Sequence, residues 1–284
     1  MDIIAVDPEK CNRDGICVTE CPVAGISFPD RDAVPAPGPG LEQTCLGCGH
    51  CVAVCPTGAL THRDVPLEDC PEIRKDLVIN QDQAEQFLRS RRSIRVYKDK
   101  SAPREVLQQL VDMAHYAPTA HNDQEVHFTV IEDKEEVKML TGMVIDWMRA
   151  TLKADKALGE KMFFHMFVGA WDMGFDALCR SAPHMVLAHT EHGKSPFSHY
   201  YPVDCASALA YLELAAPTLG LGTYWNGMFM AAALSCEPLR KALNLPKDHR
   251  LNGVLMLGYP KFKYHRLPKR KEAPVRWSVK DSMD

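Results

Sequence analysis

The sequence predicts an α+β protein in two parts, a small cysteine-rich module followed by a larger domain of helices and short strands. Three observations carry that expectation. Seven of the eleven cysteines fall between Cys11 and Cys55, in a pattern that occurs twice. A polar stretch holding Pro66 and Pro71, near Arg63–Lys75, shows no sustained period. From Asn80 onward, apolar residues recur at helical spacing between short apolar runs. Domains are therefore expected at residues 1–65 and 76–284.

The second cysteine group reads Cys45-x2-Cys48-x2-Cys51-x3-Cys55-Pro56. This is the spacing of a bacterial iron–sulfur run, in which the fourth cysteine serves the other cluster of a pair. A structural zinc site would instead pair two Cys-x2-Cys knuckles across a longer gap. The pattern also occurs 34 residues earlier with one change, as Cys11-x2-Asp14-x2-Cys17-x3-Cys21-Pro22. Such an internal repeat marks a pseudo-symmetric unit. Residues 1–62 resemble the bacterial two-cluster ferredoxins.

The crossing rule then gives Cys45, Cys48, Cys51 and Cys21 to one [4Fe–4S] cluster. Cys11, Cys17 and Cys55 supply three thiolates to the other, with Asp14 in the fourth position. An Asp-ligated [4Fe–4S] cluster and a [3Fe–4S] cluster with Asp14 unbound both remain open. Cys70 has no partners at motif spacing and reads as a free thiol or a plain structural residue. The segment from Phe28 to Gly40, rich in proline and glycine, reads as a loop.

In the second part, Ala84, Phe87, Leu88 and Arg91 sit at helical spacing, and Pro103 opens another helix with Val106, Leu107, Leu110, Val111 and Ala114 as its stripe. Val126 to Ile131 alternates as a strand. Met185–Ala188 and Val254–Leu257 suit buried strands, with His184 and His189 as structural bookends. The most apolar stretch, Cys205 to Leu234, is broken by Glu213, Pro217 and several glycines. It reads as a buried helix, Ala206–Leu214, followed by a glycine turn, and not as a membrane span.

Arg91-Arg92-Ser93-Ile94-Arg95 places three guanidiniums and a hydroxyl within five residues, a set suited to phosphate. A polar turn follows at Ala117-Pro118-Thr119-Ala120-His121-Asn122-Asp123-Gln124, then the glycine turn Gly220-Leu221-Gly222-Thr223-Tyr224-Trp225, then Gly258-Tyr259-Pro260 and the basic Lys269-Arg270-Lys271. This order resembles the FMN-dependent nitroreductase family from about residue 80 to 278. The combined fold expectation is a ferredoxin-like two-cluster iron–sulfur domain followed by a nitroreductase-like α/β FMN-binding domain.

The resemblance implies roles. Arg91, Arg92, Ser93 and Arg95 would hold the FMN phosphate and ribityl chain, with Lys269 and Arg270 closing on the phosphate and Lys271 as the alternative to Arg270. Thr119 would lie beside the cofactor. Asn122 would bond the ring edge, and Leu221, Gly222 and Thr223 would offer backbone contacts to the ring. Gln124-Glu125-Val126 departs from the family's Gln-Pro-Trp, which leaves substrate choice open. Family members are homodimers with FMN at the interface, and the helix Ala206–Leu214 is a candidate contact element. NAD(P)H can dock over such a flavin without a Gly-x-Gly-x-x-Gly motif, and none follows an expected strand here.

The expected function is an oxidoreductase that passes electrons from the clusters to FMN and on to a nitroaromatic, quinone or similar electron-poor substrate. The same fold could serve reductive dehalogenation, alkene reduction or flavin modification, or the chain could be an electron carrier or redox sensor. No side-chain nucleophile is needed, since the chemistry is the cofactors'. An external redox donor protein is an expected partner. His121 is a candidate proton donor, and Trp225, Met228, Phe229 and Met230 could shape an aromatic pocket, although such residues are more often simple core.

Net charge is −4 and the pI about 6.3, so no global basic field draws nucleic acid or anionic lipid. The opening Met1-Asp2-Ile3-Ile4 lacks the features of a secretion signal. With clustered, unpaired-looking cysteines, a cytoplasmic location is expected.

Overall fold

The structure, a computed structural model, describes residues 2–278. The cysteine-rich module is made of short elements: β1 (Ile4–Val6), α1 (Ile16–Glu20), β2 (Ile26–Ser27), β3 (Ala36–Pro37), α2 (Leu41–Thr44), α3 (His50–Ala53) and β4 (Leu60–His62). β1 pairs antiparallel with β4, bringing the start of the first motif to the end of the second, and β2 pairs with β3. The repeat is visible in the backbone: α1 and α3 each follow a glycine in the left-handed region, Gly15 (φ 72°) and Gly49 (φ 71°), a conformation glycine adopts without strain. The expected loop from Phe28 to Gly40 contains β3, whose proline is tolerated because the strand is an edge. The module's core is small, chiefly Ile3, Ile4, Ile26, Leu41, Val52 and Leu60 with Cys17 and Cys51.

The rest of the chain forms α4 (Gln81–Ser90), α5 (Arg104–Ala114), β5 (His127–Ile131), α6 (Lys134–Ala154), α7 (Lys156–Lys161), α8 (Phe164–Asp172), β6 (His184–Glu191), α9 (Tyr201–Ala215), β7 (Gly222–Trp225), α10 (Gly227–Ser235), α11 (Glu237–Leu243) and β8 (His249–Gly258). The strands make one antiparallel sheet in the order β5-β6-β8-β7. Both faces are covered. Met185, Leu187, Val254 and Met256 pack on α6, α8, α10 and α11. Val186, Ala188, Leu255 and Leu257 pack on α5 and α9. Two-sided burial explains why β6 and β8 read as continuous apolar runs, since alternate residues enter different apolar layers.

Two expectations about the long apolar stretch are corrected. The glycine turn ends at Leu221, and Gly222–Trp225 is the edge strand β7. The stretch also extends into α10, so it crosses three elements of the domain. The 21-residue helix α6, capped by the Asp133 side chain on Glu135 N–H, is a major element that the sequence reading did not single out. α4 is capped by an Asn80–Gln83 capping box, yet none of its residues is buried. No helix among the described residues is long and apolar enough to cross a membrane.

Candidate cluster chambers and cofactor site

The fold sorts the cysteines into two chambers. One is lined by Cys21, Cys45, Cys48 and Cys51, together with Ile4, Leu41 and His62. The other is lined by Cys11, Asp14, Cys17 and Cys55, together with Val6, Thr57 and Leu60. Cys21 and Cys55 thus cross into each other's half, as the spacing rule requires. Backbone N–H groups point at sulfur in both: Gly25 N–H donates to Cys21 Sγ and Ala59 N–H to Cys55 Sγ, each at 3.3 Å. The donor set therefore fits two iron–sulfur clusters. Burial pushes the Cys51 thiol up to about 11, so its thiolate form depends on the positive charge of bound iron. Asp14 lies in its chamber while its Oδ1 accepts the Ile16 N–H at 3.0 Å.

The second site is assembled around the segment Arg91–Lys98, which is laced into the sheet's edge. Ile94 N–H donates to Thr223 O at 2.8 Å, Lys98 N–H to Tyr259 O at 2.8 Å, and Lys261 N–H to Val96 O at 3.0 Å. This brings Arg91-Arg92-Ser93-Ile94-Arg95 beside Leu221, Gly222 and Thr223, and beside the end of β8. A Cβ on Gly222 would stand 2.3 Å from Ile94 Cγ1 and 3.1 Å from Pro260 Cγ. The glycine is required by the packing of Ile94 against β7, not by an approaching ring alone.

The three arginines differ. Arg91 Nη1 donates to Glu213 Oε1 at 2.9 Å, on a carboxylate that is 8 % exposed. Glu213 also accepts from Trp225 Nε1 at 3.3 Å and Thr223 Oγ1 at 3.5 Å. Arg91 is thus held by an internal ion pair through Nη1. Arg92 donates through Nη2 to Arg89 O, while its Nε is buried without a partner. A buried unpaired N–H is costly, and an anion there would satisfy it. Arg95 is exposed and its guanidinium lies over the Tyr224 ring, 5.4 Å from the centroid.

The polar turn is strained. His121, Asn122 and Gln124 have φ of 54°, 55° and 52°, a region unfavourable to side chains other than glycine. It is braced by Thr119 Oγ1, which accepts the Gln124 N–H at 3.1 Å, and by Asp204 Oδ1, which accepts the Ala120 N–H at 3.2 Å. Burial raises the Asp204 carboxyl pKa, with Asp123 adding to the effect and the Ala120 hydrogen bond opposing it. His121 stacks on Phe197 with ring centroids 3.3 Å apart. Asn122 Nδ2 reaches across to the cysteine-rich module and donates to Leu46 O at 3.1 Å and Gly47 O at 3.2 Å.

The remaining expected residues are placed differently. Lys269 and Arg270 lie on the exposed irregular chain after β8 and make no ion pair among the described residues. Phe229 is fully buried, and Met228 and Met230 pack against the same core cluster, so they are core and not pocket wall. Trp225 is 40 % exposed beside Glu213. The unpaired Arg92 Nε, the exposed Arg95 and the strained turn together fit a phosphate-bearing cofactor.

The nitroreductase family profile matches residues 88–259. The chain belongs to the nitroreductase family. Residues 3–56 match the 4Fe-4S dicluster domain, in agreement with the two chambers. A protein of Archaeoglobus fulgidus, provisionally named NADH dehydrogenase/NAD(P)H nitroreductase, is 30 % identical over 61 % of this chain and 82 % of its own length. An iodotyrosine deiodinase of Thermotoga neapolitana is 27 % identical over 67 % of this chain and 95 % of its own. The crystal structure of a nitroreductase with bound FMN from Bacteroides fragilis superposes with a TM-score of 0.55 at 22 % identity, covering 71 % of this chain and all of that one.

The residues that sequence reasoning missed are Glu213, Asp204 and His62. Each is a polar side chain buried in an apolar context, where burial demands a partner. Glu213 and Asp204 were visible as acids inside the apolar Cys205–Leu234 region and just before it. Their partners lie 122 and 84 positions away and only the fold reveals them.

Proposed function

We propose that this chain is a flavin- and iron–sulfur-dependent oxidoreductase that reduces a nitroaromatic, quinone or similar electron-poor small molecule. In this reading residues 1–65 are the electron-feeding domain and residues 76–284 the FMN domain. When bound, the clusters supply electrons singly and FMN supplies the reduction of the organic acceptor. The chain's own residues hold and position these groups. Arg92, Ser93 and Arg95 would hold the FMN phosphate and ribityl chain, and Thr119 and Asn122 would lie by the ring. Cys21, Cys45, Cys48 and Cys51 hold one cluster, and Cys11, Cys17 and Cys55, with Asp14, the other.

One observation carries the internal electron feed: the Asn122 amide donates to both carbonyls between Cys45 and Cys48. The candidate flavin turn is thereby tied to the loop that wraps one cluster. Glu213 keeps Arg91 fixed behind the phosphate segment, and the Gly222–Ile94 contact sets its distance from β7.

The reading extends to a homodimer. α4 buries nothing and exposes Phe87 and Leu88, while the chain after β8 exposes Phe262, Tyr264 and Trp277. A second copy of this chain is the partner that would cover them. NAD(P)H or an external redox protein is the proposed donor, and the cytoplasm the proposed location.

The test is anaerobic purification with iron, sulfide and flavin quantified, then stopped-flow reduction by dithionite and by NAD(P)H. Stoichiometric FMN with about seven or eight irons is expected, as is slower flavin reduction in Cys48→Ala. Absence of FMN would overturn the reading. The deiodinase relative favours a second substrate class, halogenated phenols; halide release in the same assay would select it over nitro-group reduction.

A further inference from the structure

His62 closes β4, is 2 % exposed, and lines the chamber of Cys21, Cys45, Cys48 and Cys51. Its Nδ1 accepts the Asp64 N–H at 3.0 Å, which leaves the ring proton on Nε2. That Nε2 faces Cys45 Sγ at 3.3 Å. An N–H donated to a ligating thiolate draws negative charge from sulfur. It favours the reduced, more negative cluster and raises its potential.

The repeat supplies an internal comparison. The 34-residue offset that aligns the cysteine motifs also aligns Gly25 with Ala59, whose N–H groups each donate to a cysteine at 3.3 Å. That one backbone donor is therefore matched between the chambers; beyond it Gly47 N–H lies on Cys45 Sγ at 3.5 Å in the first, and Thr57 Oγ1 lies 3.7 Å from Cys55 Sγ in the second. The same offset aligns His62 with Phe28. Phe28 has no donor, is 37 % exposed, and is not among the residues lining the Cys11, Asp14, Cys17 and Cys55 chamber. His62 is thus a buried ring donor that the Cys45 half of the repeat has and the Cys11 half lacks, at the shortest side-chain contact to sulfur in either chamber.

We propose that His62 is a positioning residue for the Cys21/Cys45/Cys48/Cys51 cluster, raising its reduction potential through Nε2–H···Sγ of Cys45. This is the cluster whose loop, at Leu46 and Gly47, meets Asn122. The donor thus favours the electron on the cluster whose loop contacts the second domain. The inference concerns the dicluster domain and stands whether or not FMN binds.

The test is an EPR-monitored redox titration of the full-length, iron-loaded protein and of His62→Phe and His62→Gln, with iron and flavin measured in each. In His62→Phe, which installs the residue of the other half-repeat, reduction of one cluster should become about tenfold less favourable, or about 59 mV for a one-electron couple. The other cluster should not move. His62→Gln, which keeps an N–H donor, should recover most of the shift. An iron-replete His62→Phe with unchanged potentials, or with both shifted equally, overturns the proposal. If His62→Phe fails to retain iron, pulsed EPR of the wild-type protein labelled with 15N-histidine decides. An imidazole nitrogen coupling on one reduced cluster supports the bond, and its absence overturns it.

Discussion

Arg91 and Glu213 show how one residue pair sets the geometry of the cofactor site. Glu213 is on α9, 122 positions from Arg91, and its carboxylate collects Arg91, Trp225 and Thr223. Removing one partner of a buried pair leaves an uncompensated charge, which typically costs about 3–5 kcal/mol. The Arg91 side chain retains 23 % exposure, so solvent relieves part of that cost. Glu213→Ala should therefore lose stability toward the lower end of the range in denaturant unfolding. The double variant with Arg91→Ala should lose less than the sum of the two singles. A Glu213→Ala loss within 0.5 kcal/mol of zero, on the scale of an ordinary surface change, would show that the pair organises nothing.

At the scale of elements, neighbouring strands gather three histidines. His127 on β5, His189 on β6 and His249 on β8 meet at one end of the sheet, with His189 Nδ1 facing His249 Nδ1 at 2.8 Å and Thr129 Oγ1 on His189 Nε2 at 2.9 Å. Burial first, then His249 and His127, lower His189 from 6.5 to about 4. Burial likewise lowers His249, with His127 adding to the effect, and lowers His184. Glu125, Glu191 and Lys194 also face the group. A histidine harder to protonate in the fold than in the unfolded chain leaves stability whole above about pH 6.5 and erodes it as pH falls toward about 4. Melting temperature should decline across that window, and His189→Asn should flatten the decline. An identical pH profile in the variant would exclude His189 as its source.

For the whole molecule, the two parts hold separate cores of very different size. The cysteine-rich core is too small to hold its fold comfortably, and its ligands must be deprotonated thiolates. The three-layer domain buries both faces of its sheet and needs no metal to do so. Iron removal by a chelator should therefore abolish hydrogen-exchange protection in β1–β4, while β5, β6 and β8 stay protected. Uniform loss of protection across the chain would mean that the parts fold as one unit.

The grouping of the cysteines into two chambers was legible in the sequence, because each motif closes within eleven residues and the crossing cysteine follows from the repeat. The buried strands β6 and β8 were legible too, since two-sided burial leaves continuous apolar runs. β7 was not, because a four-residue edge strand that begins with glycine looks like a turn until β8 pairs with it. The different settings of the three arginines were also hidden. Three neighbouring guanidiniums are equivalent in a sequence, and only a carboxylate brought in by α9 distinguishes Arg91 from the others. Local spacing thus determined the metal chemistry, the repeat and the main elements. Tertiary structure decided Glu213 on Arg91, His62 on Cys45 and Asn122 on the cluster loop, because each joins residues that only folding brings within hydrogen-bond reach.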